Sequence, residues 1–137
     1  MPKDQAAIAV AETVDKSLSY KIIEYNHYSM KGSIERKKGI LLALADKLES
    51  NRRKLKQINS VMEDQLFFLF NTLNIRHNNI APESKQYKKY VASMDKDALE
   101  KWYDETYQLS LLAFMELDNL DRKNKIKKLK DDIGNCR

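Results

Sequence analysis

Ile34, Leu41, Leu48, Leu55, Met62 and Leu69 fall seven residues apart, and no proline or glycine interrupts the chain between Ile40 and Ala81. Seven-residue apolar spacing without helix breakers predicts a long helix with one continuous seam. A helix of about 46 residues spans roughly 69 Å at about 1.5 Å per residue. A compact globule of this length has a radius of gyration of only about 14 Å. The helix must therefore break, or the molecule must be elongated and lean on a partner. The heptad phase holds across Ser60-Val61-Met62-Glu63, a stretch that matches a capping box and so marks the alternative break near Asn59. The continuous reading gives one helix over 34–76.

The flanking segments extend the helical pattern. Ile8, Ala11, Val14, Leu18, Ile22 and Tyr25 recur at helical spacing and predict a first helix over 4–29, stopped by Lys31-Gly32-Ser33. Leu66-Phe67-Phe68-Leu69-Phe70 is apolar on every helical face and is expected to be buried all round. Asn78-Asn79-Ile80-Ala81-Pro82 forms the main loop, followed by a short helix at about 84–93. Asp95 or Asp97 then caps a last helix over 96–133, whose core stripe includes Trp102, Leu109 and Ile126. Three glycines and two prolines leave too few turns for a sheet. The expectation is a single all-α domain, 1–137: an elongated helical bundle with two long antiparallel helices (34–76 and 96–133), an N-terminal helix and a short connecting helix.

Charge divides the chain more sharply than its net +5 suggests. Residues 33–60 carry eight basic and three acidic side chains, 95–121 carry two basic and eight acidic, and 122–130 carry six basic and none acidic. Such blocks pair with one another or with an anionic partner. The residues placed to track phosphates are Arg52, Arg53 and Lys56, Lys88 and Lys89 beside Tyr87 and Tyr90, and Lys125, Lys127 and Lys128 in the last block. Ile126, Leu129 and Ile133 form too small an apolar face for stable membrane insertion.

The run Tyr28-Ser29-Met30-Lys31-Gly32-Ser33 resembles the His-x-x-Lys-Gly-Ser core of histidine phosphotransfer domains, four-helix bundles that relay phosphate from response regulators. The resemblance implies His27 as phosphate carrier and Lys31 as its charge partner; here they stand four residues apart, where that family has three. Glu24-Tyr25-Asn26-His27 supplies half of a carboxylate–histidine di-iron set, but His77 is preceded three positions earlier by Asn74, so the second half is missing. Two histidines and one cysteine, Cys136, supply nucleophilic catalysis poorly and exclude an intrachain disulfide. Adjacent acids, as in Glu63-Asp64 and Asp104-Glu105, point about 100° apart on a helix and do not make a carboxylate pair.

The function these features predict is non-enzymatic and without cofactor or metal: an adaptor, chaperone or assembly subunit acting through helix–helix contact, as a homodimer or with a protein partner. Leu41, Leu48, Leu55 and Met62 form its seam, with Phe67 and Phe70 as anchors. The alternative is a nucleic-acid-binding helical protein, such as a ribonucleoprotein small subunit, and the third reading is phosphotransfer. No run approaches the roughly 18 apolar residues of a membrane span and no signal segment opens the chain, so a cytoplasmic location is expected, with later export left open.

Overall fold

A computed structural model describes residues 4–136. Among the described residues there are seven α-helices and no strand: α1 (Gln5–Ala11), α2 (Lys16–Tyr25), α3 (Ile34–Glu49), α4 (Arg52–Ile58), α5 (Ser60–Thr72), α6 (Lys89–Ala92) and α7 (Lys96–Asn135). The class is all-α, as expected, and the architecture is a helical bundle built on α7.

The first helix expected over 4–29 is two helices. Thr13 Oγ1 donates to the Val10 carbonyl and closes α1, and Asp15 accepts from the Leu18 N–H and opens α2. Short polar side chains thereby satisfy the backbone groups that a continuing helix would use. After α2, one 3-10 turn (Tyr28–Met30) and Gly32 at φ 79° redirect the chain into α3.

The single helix expected over 34–76 is three. Ser50 Oγ and Asn51 Nδ2 both donate to the Lys47 carbonyl and end α3. Asn59 sits in extended backbone (φ −156°, ψ 90°) and its side chain caps α5 through the Met62 N–H at 3.0 Å. The chain reverses there. Arg52 reaches Glu63 at 2.6 Å, and Arg76, just past α5, reaches Glu49 of α3 at 3.2 Å. In one straight helix residues 49 and 76 would lie about 40 Å apart. Replacing Asn59 with alanine should therefore cost about 1 kcal/mol in urea unfolding, while Asn59→Asp, which keeps the cap oxygen, should cost far less.

These reversals turn an elongated rod into an alternating bundle. Lys37, early in α3, meets Glu100 and Asp104 early in α7, while Lys47 and Asn51 lie by Phe114 and Leu117, so α3 runs parallel to α7. The Tyr103 hydroxyl reaches the Asn74 carbonyl, and Gln65 and Phe68 flank Glu105 to Leu112, so α5 runs antiparallel to α7. α1 runs with α7, from the Asp4–Gln108 bond to Thr13 beside Met115, and α2 runs against it, ending with Tyr25 on Asp104. Short turns between neighbours favour this up-and-down order.

The longer connection after α5 is held by Asn79, which is fully buried. Its Oδ1 accepts from the Asn74 N–H at 2.7 Å, and its Nδ2 donates to the carbonyls of Asn71 and Gln86. Asn74 adopts φ 59°, a left-handed conformation that asparagine tolerates. The short helix expected at about 84–93 is the single turn α6, and α7 opens at Asp95, whose side chain accepts from the Ala98 N–H.

Leu41, Leu44, Leu48, Leu55, Leu66, Phe67, Phe70, Tyr103, Tyr107 and Leu111 fill the core. Two expectations fail at its edge. Phe68 is 61% exposed, so the 66–70 run is not buried all round, and Trp102 and Ile126 face solvent instead of the core.

Candidate functional site

Lys37 belongs to a basic run, Arg36-Lys37-Lys38, but its side chain is buried at the junction of α2, α3 and α7. Its ammonium lies 2.9 Å from Glu100 Oε2 and 2.7 Å from Asp104 Oδ1. The Tyr25 hydroxyl donates to the same Asp104 oxygen at 2.8 Å, and the Gly32 N–H donates to Glu100 at 2.7 Å. The Tyr25 ring lies 5.1 Å from the ammonium and stacks on Tyr107 with centroids 4.0 Å apart. Tyr107 in turn donates to the Ile22 carbonyl and accepts from Asn26 Nδ2.

Electrostatics follow from this geometry. Burial alone would lower the Lys37 pKa, but the hydrogen bonds to Asp104 and Glu100 outweigh it and hold the ammonium charged above its ordinary range. The Lys37 bond, with the Gly32 amide second, holds the Glu100 carboxyl below the usual range. Burial, reinforced by Asp104, pushes the Tyr25 hydroxyl far up. A lysine kept charged between two carboxylates, beside a tyrosine kept neutral, is suited to tying three helices together and ill suited to removing a proton.

The residues predicted to form a partner-binding seam lie inside the single chain. Leu41, Leu48, Leu55 and Phe70 are fully buried, Phe67 is 1% and Met62 3% exposed. α7 and its neighbours complete the seam within one molecule, and a partner helix cannot reach these side chains in this fold. Sequence periodicity identified their burial correctly and its cause incorrectly.

The candidate nucleic-acid contacts divide. Arg52 is committed internally: it pairs with Glu63 and Glu49 and lies 4.1 Å from the Phe67 ring centroid. Arg53, Lys56, Lys88 and Lys89 are exposed, and Lys125, also exposed, pairs with Asp121 one helical turn away at 3.1 Å. Among the described residues Lys127 and Lys128 form no ion pair. His27 and Lys31 are not on one helix face. His27 has extended backbone (φ −69°, ψ 139°) and caps the 3-10 turn by accepting from the Ser29 N–H, while Lys31 has left the turn at φ −59°, ψ 125°. The one-turn juxtaposition that the phosphotransfer resemblance implies is absent. Glu24, the other half of the Glu-x-x-His pattern, pairs with Arg36.

The feature that sequence reading placed wrongly is the far end of α7. Every residue from Asp121 to Cys136 is exposed, although the helix continues to Asn135. This arm carries Ile126, Leu129 and Ile133 at 47, 56 and 65% exposure. Towards the core the same face continues through Met115 and Leu112, both exposed, beside a cleft of about 360 Å³ bounded by Ala9 and Val10 of α1 and by Thr13 just after it. The available signal was the absence of acids over 122–130 together with sparser apolar residues. Among the described residues no helix is long and apolar enough to cross a membrane. Comparison with protein-family models, with curated proteins and with solved structures finds no match.

Proposed function

We propose that this chain is a non-enzymatic assembly or adaptor subunit that acts through helix–helix contact, with the α7 arm, in place of the internal seam, as its contact element. One observation supports this most: a helix that keeps three large aliphatic side chains on one face while every residue from Asp121 to Cys136 is exposed. Burying the exposed half of each in a partner contributes about 1 kcal/mol, and a contiguous apolar stripe differs from scattered exposed residues in being a recurrent mark of interaction.

The test is Ile126→Asp with Leu129→Asp. Both positions are exposed, so at a dilution where the chain is monomeric the melting temperature should stay within about 2 °C of the parent, as for most surface changes. Co-purification of partner protein from nuclease-treated extract of the source cells should be lost. An unchanged set of partners would overturn the reading.

A second reading draws on the same arm. Lys123, Lys127, Lys128 and Lys130 form no ion pair among the described residues, and Lys88 and Lys89 add exposed charge. Phosphate binding through these lysines should fall by orders of magnitude between about 50 and 200 mM salt, whereas an apolar helix contact should hold. Fluorescence anisotropy with short RNA and DNA strands and duplexes separates the two.

A further inference from the structure

Leu112, Met115, Asn119, Arg122, Ile126, Leu129 and Ile133 follow one another at spacings of three, four, three, four, three and four. That is the alternation of a two-helix coiled-coil seam, and it lies on the face of α7 that no other helix covers along the arm. Its two polar members stand together in the middle, between apolar pairs. We propose that α7 pairs with α7 of a second copy, antiparallel, about a twofold axis between Leu120 and Asp121.

Seam, flanks and recess set this register. First, it places Leu112 opposite Leu129 and Met115 opposite Ile126, and it leaves the polar pair Asn119 and Arg122 opposite each other at the centre. A closed twofold contact requires such self-complementarity.

Second, the flanks match. In an antiparallel pair each flank meets the same flank of its partner, so Glu116 faces Lys123 of the second copy and Asp118 faces Lys125. Symmetry repeats both pairs. The basic tract of one arm then lies along residues 111–119 of the other α7, which carry Glu116 and Asp118 and no basic side chain. A parallel pair would instead set Arg122 against Arg122 in the seam and Lys125 against Lys130 at its edge.

Third, the arriving arm has a place to go. Leu112, Met115, Asn119 and Arg122 border the cleft beside α1, so Ile126 and Leu129 of the second copy enter a recess already walled by Ala9 and Val10. Overlap from Gln108 to Ile133 is about 39 Å of helix.

The inference rests on the proposal that the arm is a helix-contact element. Its test uses the purified full chain with Cys136→Ser. Sedimentation equilibrium should give a dimer. Mixing a Leu112→Cys chain with a Leu129→Cys chain under mild oxidation should give a disulfide-linked pair, and neither chain alone should link to itself. Within one chain these positions stand about 25 Å apart on the helix, far beyond the roughly 7 Å limit for a disulfide. Glu116→Lys should weaken the dimer about tenfold, and adding Lys123→Glu should restore it.

A monomer at all concentrations, or a Leu129→Cys chain that links to itself, overturns the antiparallel dimer. If the chain is monomeric while the Asp-substituted arm still loses a protein partner, only this inference falls. If the arm substitutions change nothing, both fall. Nucleic-acid binding by the monomer that depends on Lys123 and Lys127 also counts against the dimer.

Discussion

Leu48→Asp should leave the chain with no cooperative thermal transition and with much of its helical circular dichroism lost, whereas Leu129→Asp should melt like the parent at a dilution where both are monomeric. Both leucines sit in apolar stripes at helical spacing, and only burial separates them: Leu48 is fully buried on α3, and Leu129 is 56% exposed on the arm. Truncating Leu48 to alanine removes transfer energy and opens a cavity, together about 3 kcal/mol. Aspartate adds a carboxyl that must be desolvated or protonated, several kcal/mol more. The sum is comparable with the total stability of about 5–15 kcal/mol expected for a domain. A Leu48→Asp chain that folds normally and loses only association would return the seam to the surface and refute the fold.

The second large effect is expected at Lys37. Lys37→Ala leaves the Glu100 and Asp104 carboxylates facing each other without the ammonium that holds them, and breaking one partner of a buried pair costs about 3–5 kcal/mol. The half-exposed Asp104 can recover some hydration, so a loss of about 3 kcal/mol in urea unfolding is expected. Lys37→Met combined with Glu100→Gln should recover a good part, because it removes opposing charges together.

The same cluster sets a pH dependence. The Glu100 carboxyl is depressed in the folded chain, so folding binds fewer protons than unfolding in acid. Its contribution is complete above the unfolded value of about 4.3 and is lost as pH falls through the folded value. Glu100→Gln should therefore flatten the acid limb of a stability–pH curve. At the other end, Lys37 is raised, so its contribution is present below about pH 10.4 and is lost as pH rises through its folded value. An acid limb identical in parent and Glu100→Gln would remove the cluster from the account of stability.

How much of this was legible from the chain alone depends on what each signal reports. Apolar spacing reports which residues are buried, and on that count Leu41, Leu48, Leu55 and Met62 were identifiable. It does not report direction. Leu55 before the reversal at Asn59 and Met62 after it both turn inward toward the same core, so the spacing of seven passes through the turn unbroken. The breaks lay in short polar side chains, Ser50, Asn51 and Asn59, whose bonds to local backbone outcompete one more helical turn. Lys37 was illegible for another reason: nothing near it in sequence separates it from Lys38, and its carboxylate partners lie more than sixty residues away. The arm was half legible. Its charge was plain, but its freedom from the core depends on where α1 to α5 stop, which no local pattern records.

α7 also differs from the other helices in how its two parts come to be helical. A segment as short as 121–135, cut from the chain, falls near the roughly 12–15 residue length at which isolated helices are marginal in water, because the first turn fixes several residues for a single hydrogen bond. In the intact protein that step is completed elsewhere. Packing of Tyr103, Tyr107, Leu111 and Phe114 against the bundle holds the preceding turns, and each arm residue then adds only the favourable propagation of a helix already begun. The bundle therefore acts as the nucleus for a helix that extends well beyond it, and the arm's shape is inherited from a core that it never touches.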